Sequence, residues 1–153
     1  MTKILLSLHV LAAVLAVGPV AVAASMFPRT LRLTSGSPDG ATLASSRTVH
    51  RICRVYAGVG VAVPLFGFAT ASSLGVLGSA WLIASIVLTT AAAGVLALGI
   101  LPAQEAALDR AEQGEAPGGG LPRRLALLTG VFNLLWATVT VLMIVRPGST
   151  TGA

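Results

Sequence analysis

Ser79-Ala80-Trp81-Leu82-Ile83-Ala84-Ser85-Ile86-Val87-Leu88-Thr89-Thr90-Ala91-Ala92-Ala93-Gly94-Val95-Leu96-Ala97-Leu98-Gly99-Ile100-Leu101 runs for 23 residues without one charged side chain. At a helical rise of about 1.5 Å per residue it is long enough to cross a hydrocarbon core of about 30 Å. Three further stretches read the same way: Ile4–Met26, Ile52–Ser73 and Leu125–Val145. None of the four contains Asp, Glu or Lys, and Arg enters only at their edges. The predicted fold is all-α, an integral-membrane four-helix bundle formed as one domain over residues 1–153.

Composition supports this reading. The chain is 55% hydrophobic and 10% charged, with a mean hydropathy of +0.89, whereas a soluble domain carries about 25% charge. Too few polar side chains exist to cover a soluble surface. The pI near 11.2 does not indicate a nucleic-acid partner. The cations lie in loops beside the spans, where they suit the anionic head groups of a lipid bilayer. Cys53 is the single cysteine, which excludes an intrachain disulfide and a Cys-based metal cluster. Many Ala, Gly and Arg beside a single Lys point to a GC-rich bacterial genome, and hence to a multi-pass protein of the bacterial cytoplasmic (inner) membrane.

The first stretch has one rival reading, a cleaved signal peptide. Lys3 gives a basic start, and Ala21-Val22-Ala23 resembles a cleavage site. The apolar run, however, outlasts the usual 7–15 residues of a signal core. Cleavage would also export Arg29, Arg32, Arg47, Arg51 and Arg54, against the positive-inside tendency. A retained first span is therefore expected. With four spans the termini share one side, and the first and third loops share the other. The loop side carries Arg29, Arg32, Arg47, Arg51, Arg54, Arg110, Arg123 and Arg124, and the terminal side only Lys3 and Arg146. This asymmetry predicts cytoplasmic loops and extracytoplasmic termini. Arg29, Arg51, Arg54, Arg123 and Arg124 form the expected lipid-facing basic edge.

The short uncharged segment around Ser72 to Gly78 makes the second and third spans an antiparallel hairpin. The first loop, Thr34 to Arg47, is rich in Ser, Thr, Gly and Pro and reads as mobile, between two short helix extensions. Pro102 opens a helical continuation of the third span, which Glu115-Ala116-Pro117-Gly118-Gly119-Gly120 breaks. Pro19 and Pro64 each remove a backbone hydrogen bond within a span and should kink it. Ser85, Thr89, Ala93 and Ala97 offer a stripe of small residues for close helix packing, as do Gly60, Gly67 and Ala71.

Polar side chains inside the spans carry the functional reading. His9 lies about five residues into the first span, and its imidazole can ligate haem iron or copper, or relay a proton. An intramembrane ionisable residue ordinarily faces a bundle interior or a pathway. The other reading is a shallow His bonded within the protein or reaching head groups. Met143, near the outer end of the fourth span, matches His9 in depth, and a His–Met pair suits haem b or copper. Met at a helix end also serves as ordinary packing. His50 lies at the opposite edge of the bilayer, so the topology excludes a bis-His haem with His9. Asn133 needs a partner in hydrocarbon and reads as an interhelical hydrogen-bonding residue. Trp81 and Tyr56 fit interfacial aromatic belts. No phosphate loop, nucleophile–base pair or paired carboxylates appear in the sequence.

Taken together, Lys3 and His9 opening span one, Pro28-Arg29 closing it, Trp81 and Pro102 bounding span three, and Phe132-Asn133 followed by Met143-Ile144-Val145-Arg146-Pro147-Gly148 resemble a family of four-span bacterial inner-membrane proteins of unknown function. The likeness covers nearly the whole chain. More distantly, the pattern is similar to HemJ-type protoporphyrinogen oxidases and CopD-type copper-resistance membrane domains. The former resemblance implies haem binding at His9. Span three carries no basic residue, a departure from the HemJ-type pattern. Two functional classes follow. One is a non-enzymatic structural or accessory membrane protein, packing against another membrane protein or itself. The other is a haem- or copper-binding redox protein using His9.

Overall fold

The computed structural model describes residues 1–34, 40–116 and 118–148. Their regular structure is entirely helical. Helix α1 covers Thr2–Thr34, α2 Gly40–Val59, α3 Ala62–Leu74, α4 Ala80–Gly94, α5 Leu101–Glu112 and α6 Leu121–Val145. A π-helical segment over Val95–Ile100 joins α4 to α5. Four rods result, Thr2–Leu33, Gly40–Leu74, Ala80–Glu112 and Leu121–Val145, each long and apolar enough to cross a membrane.

The rods exceed the apolar runs that define them. Helix α1 has 33 residues, about 50 Å at 1.5 Å per residue. It continues through Pro19 and Pro28 without interruption, so the lost hydrogen bond at Pro19 does not break the helix. The loop expected over Thr34 to Arg47 is also largely helix: Thr34 closes α1, and Gly40 already opens α2. The rest of that loop, residues 35–39, lies outside the described residues. The residue mix there suits a turn, but Leu43, Ser46 and Val49 supply an inward face that extends the second rod.

Pro64 does interrupt its span. Lacking an N–H, it leaves the Gly60 carbonyl without its i+4 donor. Val63 N–H donates to that carbonyl instead, at 3.1 Å, and Val61 N–H donates to Gly58 O at 3.2 Å. The helix tightens for one turn between α2 and α3. Gly60 suits this turn because a Cβ there would sit 3.0 Å from the Ala57 carbonyl oxygen.

Pro102 has the opposite effect on the third rod. Leu101 N–H reaches back to Leu96 O, an i−5 bond, in the turn before the proline. A π-turn holds more residues than an α-turn, so residues four apart stay nearly in line. Ala92, Leu96, Ile100 and Gln104 are consequently all buried. The packed face differs from the expected small-residue stripe already within α4: Ser85 and Ala92, seven residues apart, are buried, but Ala93 and Ala97 are exposed.

The main core lies toward the ends of the rods that carry the first and third loops. Val20, Ala23, Ala24, Phe27 and Leu31 of α1 meet Val49 and Cys53 of α2, Ile100, Ala107 and Leu108 of the third rod, and Leu125 and Phe132 of α6. The α1 residues repeat at 3, 4 and 7, one helical face. A smaller cluster at the opposite end joins Ala71, Trp81 and Leu82, with Val76 and Met143 against it. There the chain reverses at Gly75, whose φ of 68° favours glycine. Val76 N–H returns to Ala71 O at 3.2 Å.

Large apolar side chains cover the outside of every rod, among them Val14, Leu65, Val87 and Leu134. Hydroxyls within the spans turn inward on their own backbone. Thr70 donates to Phe66 O, Ser85 to Trp81 O, Thr90 to Ile86 O and Thr138 to Leu134 O. These bonds to preceding carbonyls satisfy polar groups that hydrocarbon cannot.

Candidate functional site

His9 is half-buried on α1 and faces α3. Its Nδ1 lies 2.9 Å from the Val63 carbonyl oxygen. A carbonyl only accepts, so Nδ1 carries a proton, and in the neutral ring Nε2 keeps the lone pair. The ring occupies the space beside Gly67, where a Cβ would stand 2.8 Å from His9 Cε1. Gly67 therefore serves as the seat of this imidazole.

Gly67→Ala is expected to destabilise the protein by about 1–3 kcal/mol, the usual range for overpacking. In a His9→Ala background the same substitution should cost almost nothing. Thermal unfolding of the four variants in detergent measures this coupling; equal costs in both backgrounds would show that the ring does not occupy the Gly67 seat.

Met143 packs against the small cluster of Ala71, Trp81 and Leu82, whereas His9 lies against Val63 and Gly67. His9 and Met143 thus have different packing partners. Among the described residues, no three His, Cys, Asp or Glu side chains converge in a metal-binding group.

A second constellation, not anticipated from the sequence, joins the second and third rods. His50 Nδ1 stands 3.0 Å from Gln104 Oε1, and Gln104 Nε2 donates to Cys53 Sγ at 3.7 Å. Gln104 and Cys53 are fully buried and His50 is 9% exposed. His50 and Cys53 are one turn apart on α2, and the π-turn brings Gln104 round to meet them. With Gln104 Oε1 as acceptor, His50 Nδ1 again carries the proton. Nε2 forms no hydrogen bond among the described residues. His50 also lines a groove of about 400 Å³ with Arg51, Arg54 and Val55.

A neighbouring cleft of about 430 Å³ is lined by Ala106, Arg110, Gly118, Gly120, Leu121 and Arg124. Arg47 Nε and Nη2 both donate to Glu112 Oε1, at 3.0 and 2.8 Å, tying α2 to α5 at the same end. Arg29, Arg51, Arg54 and Arg123 are exposed there too. The expected basic edge is therefore one physical end of the molecule. Both partners of the Arg47–Glu112 pair are about half exposed, so Arg47→Ala should lower stability by less than about 1 kcal/mol, read by thermal unfolding at low and high salt.

The opposite end is sparse in charge. Arg146 lies 5.6 Å over the Trp81 ring and donates to Met143 O. Within the spans, Asn133 Nδ2 reaches Ser25 Oγ at 3.5 Å, and Thr129 donates to Ala24 O at 3.3 Å. Both link α6 to α1, the kind of contact expected of Asn133. Asn133 Oδ1 and Trp136 Nε1 are buried without a hydrogen-bond partner.

Compared with protein-family models, with curated proteins and with solved structures, the chain matches none.

Proposed function

We propose that the chain is a structural or accessory protein of the bacterial cytoplasmic membrane, its two termini outside and its basic end set against the anionic cytoplasmic leaflet. The observation that carries this reading is the gathering of arginines at one end of four apolar rods, with Arg51 and Arg54 opening onto a groove at the edge of the second span. Juxtamembrane cations gain about 1 kcal/mol each beside anionic lipid and retain loops on the cytoplasmic side. The apolar outer faces offer contact surface for another membrane protein or a second copy. The test is reconstitution into zwitterionic vesicles and into vesicles with added phosphatidylglycerol. Greater thermal stability in the anionic vesicles, reduced by high salt, is the expected result. Equal stability in both would remove the basis of the proposal.

A second reading rests on His9. The Val63 carbonyl holds its Nδ1–H and leaves Nε2 as a donor atom for haem iron or copper, the arrangement in which metal-bound histidines are commonly oriented. Met143 is the second ligand expected from the sequence, and the resemblance to HemJ-type oxidases points to the same histidine. An absorption spectrum of the purified protein beside His9→Ala tests this reading. A Soret band that disappears with the imidazole supports haem at His9; a band that survives excludes His9 as its essential ligand.

A further inference from the structure

We infer that the groove at His50, Arg51 and Arg54 is a discrete binding site for the phosphate of one anionic lipid, and that Gln104 is the residue that positions its imidazole. The inference rests on the membrane placement proposed above and goes beyond it: a diffuse basic edge attracts a charged surface, whereas this groove holds one head group. Three nitrogen-bearing side chains from a single stretch of α2 line it. Arg51 and Arg54 are exposed, free to close on an anion, and guanidinium groups match phosphate oxygens in geometry as well as charge.

His50 is a built element of the groove. Its ring is nine-tenths buried, its Nδ1–H is committed to Gln104, and Nε2 is its remaining polar atom. A phosphodiester carries no hydroxyl on phosphorus, so its oxygen meets Nε2 through a bridging water that donates one hydrogen to the ring nitrogen and the other to the phosphate. Gln104 is fully buried and held from its other side by Cys53, so the imidazole is braced before any ligand arrives.

The identity of the phosphate follows from what lies below it. Arg51, Val55 and Val59 stand four residues apart on one stripe of α2. Val55 is 55% exposed and Val59 41% exposed, and Val55 also lines the groove. The stripe passes from cation to apolar surface in the direction of the bilayer centre. A lipid head group on Arg51 and Arg54 would lay its acyl chain along Val55 and Val59. Free phosphate has no use for that track.

The test measures the thermal shift of the full-length protein in detergent, titrated with dioctanoyl phosphatidylglycerol, dioctanoyl phosphatidylcholine and inorganic phosphate. Phosphatidylglycerol should stabilise saturably, with the other two giving no comparable effect. The exposed double variant Arg51→Gln/Arg54→Gln should fold normally and bind at least tenfold more weakly. Gln104→Glu, which keeps an acceptor for His50 Nδ1–H, should retain more affinity than Gln104→Leu. Arg29→Gln/Arg123→Gln, elsewhere on the basic edge, should weaken binding far less, by the loss of general surface charge alone.

Equal weakening in the two arginine double variants would overturn the discrete site while leaving the anionic-surface reading intact. Binding of inorganic phosphate alone, in competition with the lipid, would overturn the lipid assignment. No preference for phosphatidylglycerol over phosphatidylcholine would overturn both.

Discussion

Phe27→Ala is expected to produce the largest loss of stability of any single truncation considered for this chain. Phe27 is fully buried, in the core where α1 meets the other three rods. Between separated helices in lipid there is little hydrophobic transfer energy to lose, because the tails are as apolar as the core. What remains is the cavity. At about 24 cal/mol per Å³, a void on the order of 100 Å³ costs about 2–3 kcal/mol. Ile144→Ala is the control, since Ile144 is 76% exposed on α6 and leaves no void. Thermal unfolding in detergent should show a large drop for Phe27→Ala and almost none for Ile144→Ala; comparable drops would contradict the assigned core.

Gln104→Leu ranks second, for a different reason. Leucine fills most of the same volume but leaves His50 Nδ1–H buried without an acceptor, a loss of about 1–3 kcal/mol. The effect has a built-in reporter. Cys53 is the single cysteine, fully buried and bonded to Gln104. In the parent protein its thiol should resist a maleimide reagent, and in Gln104→Leu it should label faster as the helix contact loosens. Gln104→Glu should restore the His50 contact and recover part of the stability. Unchanged labelling together with unchanged stability in Gln104→Leu would show that the His50–Gln104–Cys53 chain contributes nothing to the fold.

The four spans were legible in the sequence because apolar length alone defines them. So were the turn near Gly75, the lost backbone hydrogen bond at Pro64 and the bond from Asn133 to a neighbouring helix, each carried by a local chemical property. The helical path of α1 past Pro19 was legible as well, because intramembrane proline is tolerated where neighbouring groups satisfy the freed carbonyl. The helical reach of α2 back to Gly40 was not, because Ser, Thr and Gly there suit a turn.

Gln104 was illegible for a geometric reason. It lies three residues after the third apolar run, and an α-helical register does not line it up with Ala92 and Leu96. The widened turn before Pro102 supplies that alignment. Gly67 was legible as a small residue but not as the seat of His9, because pairing residues 58 apart requires knowing which rods touch. A helix that is apolar on every side gives no sign of which face meets a neighbour and which meets lipid. The closest available signal for the second site was His50 and Cys53 at i and i+3, which share a face with or without a partner.

Both readings of the protein depend on its orientation, with four retained spans, the termini outside and the basic end inside. Leu77→Cys, in the turn between the second and third spans, and Gln113→Cys, at the end of α5, test it most directly. Leu77 is 41% exposed, Gln113 is exposed, and the native Cys53 is buried. A membrane-impermeant maleimide applied to intact spheroplasts should label Leu77→Cys and leave Gln113→Cys unlabelled until the membrane is opened. Labelling of Gln113→Cys in intact spheroplasts, with Leu77→Cys protected, would contradict the account.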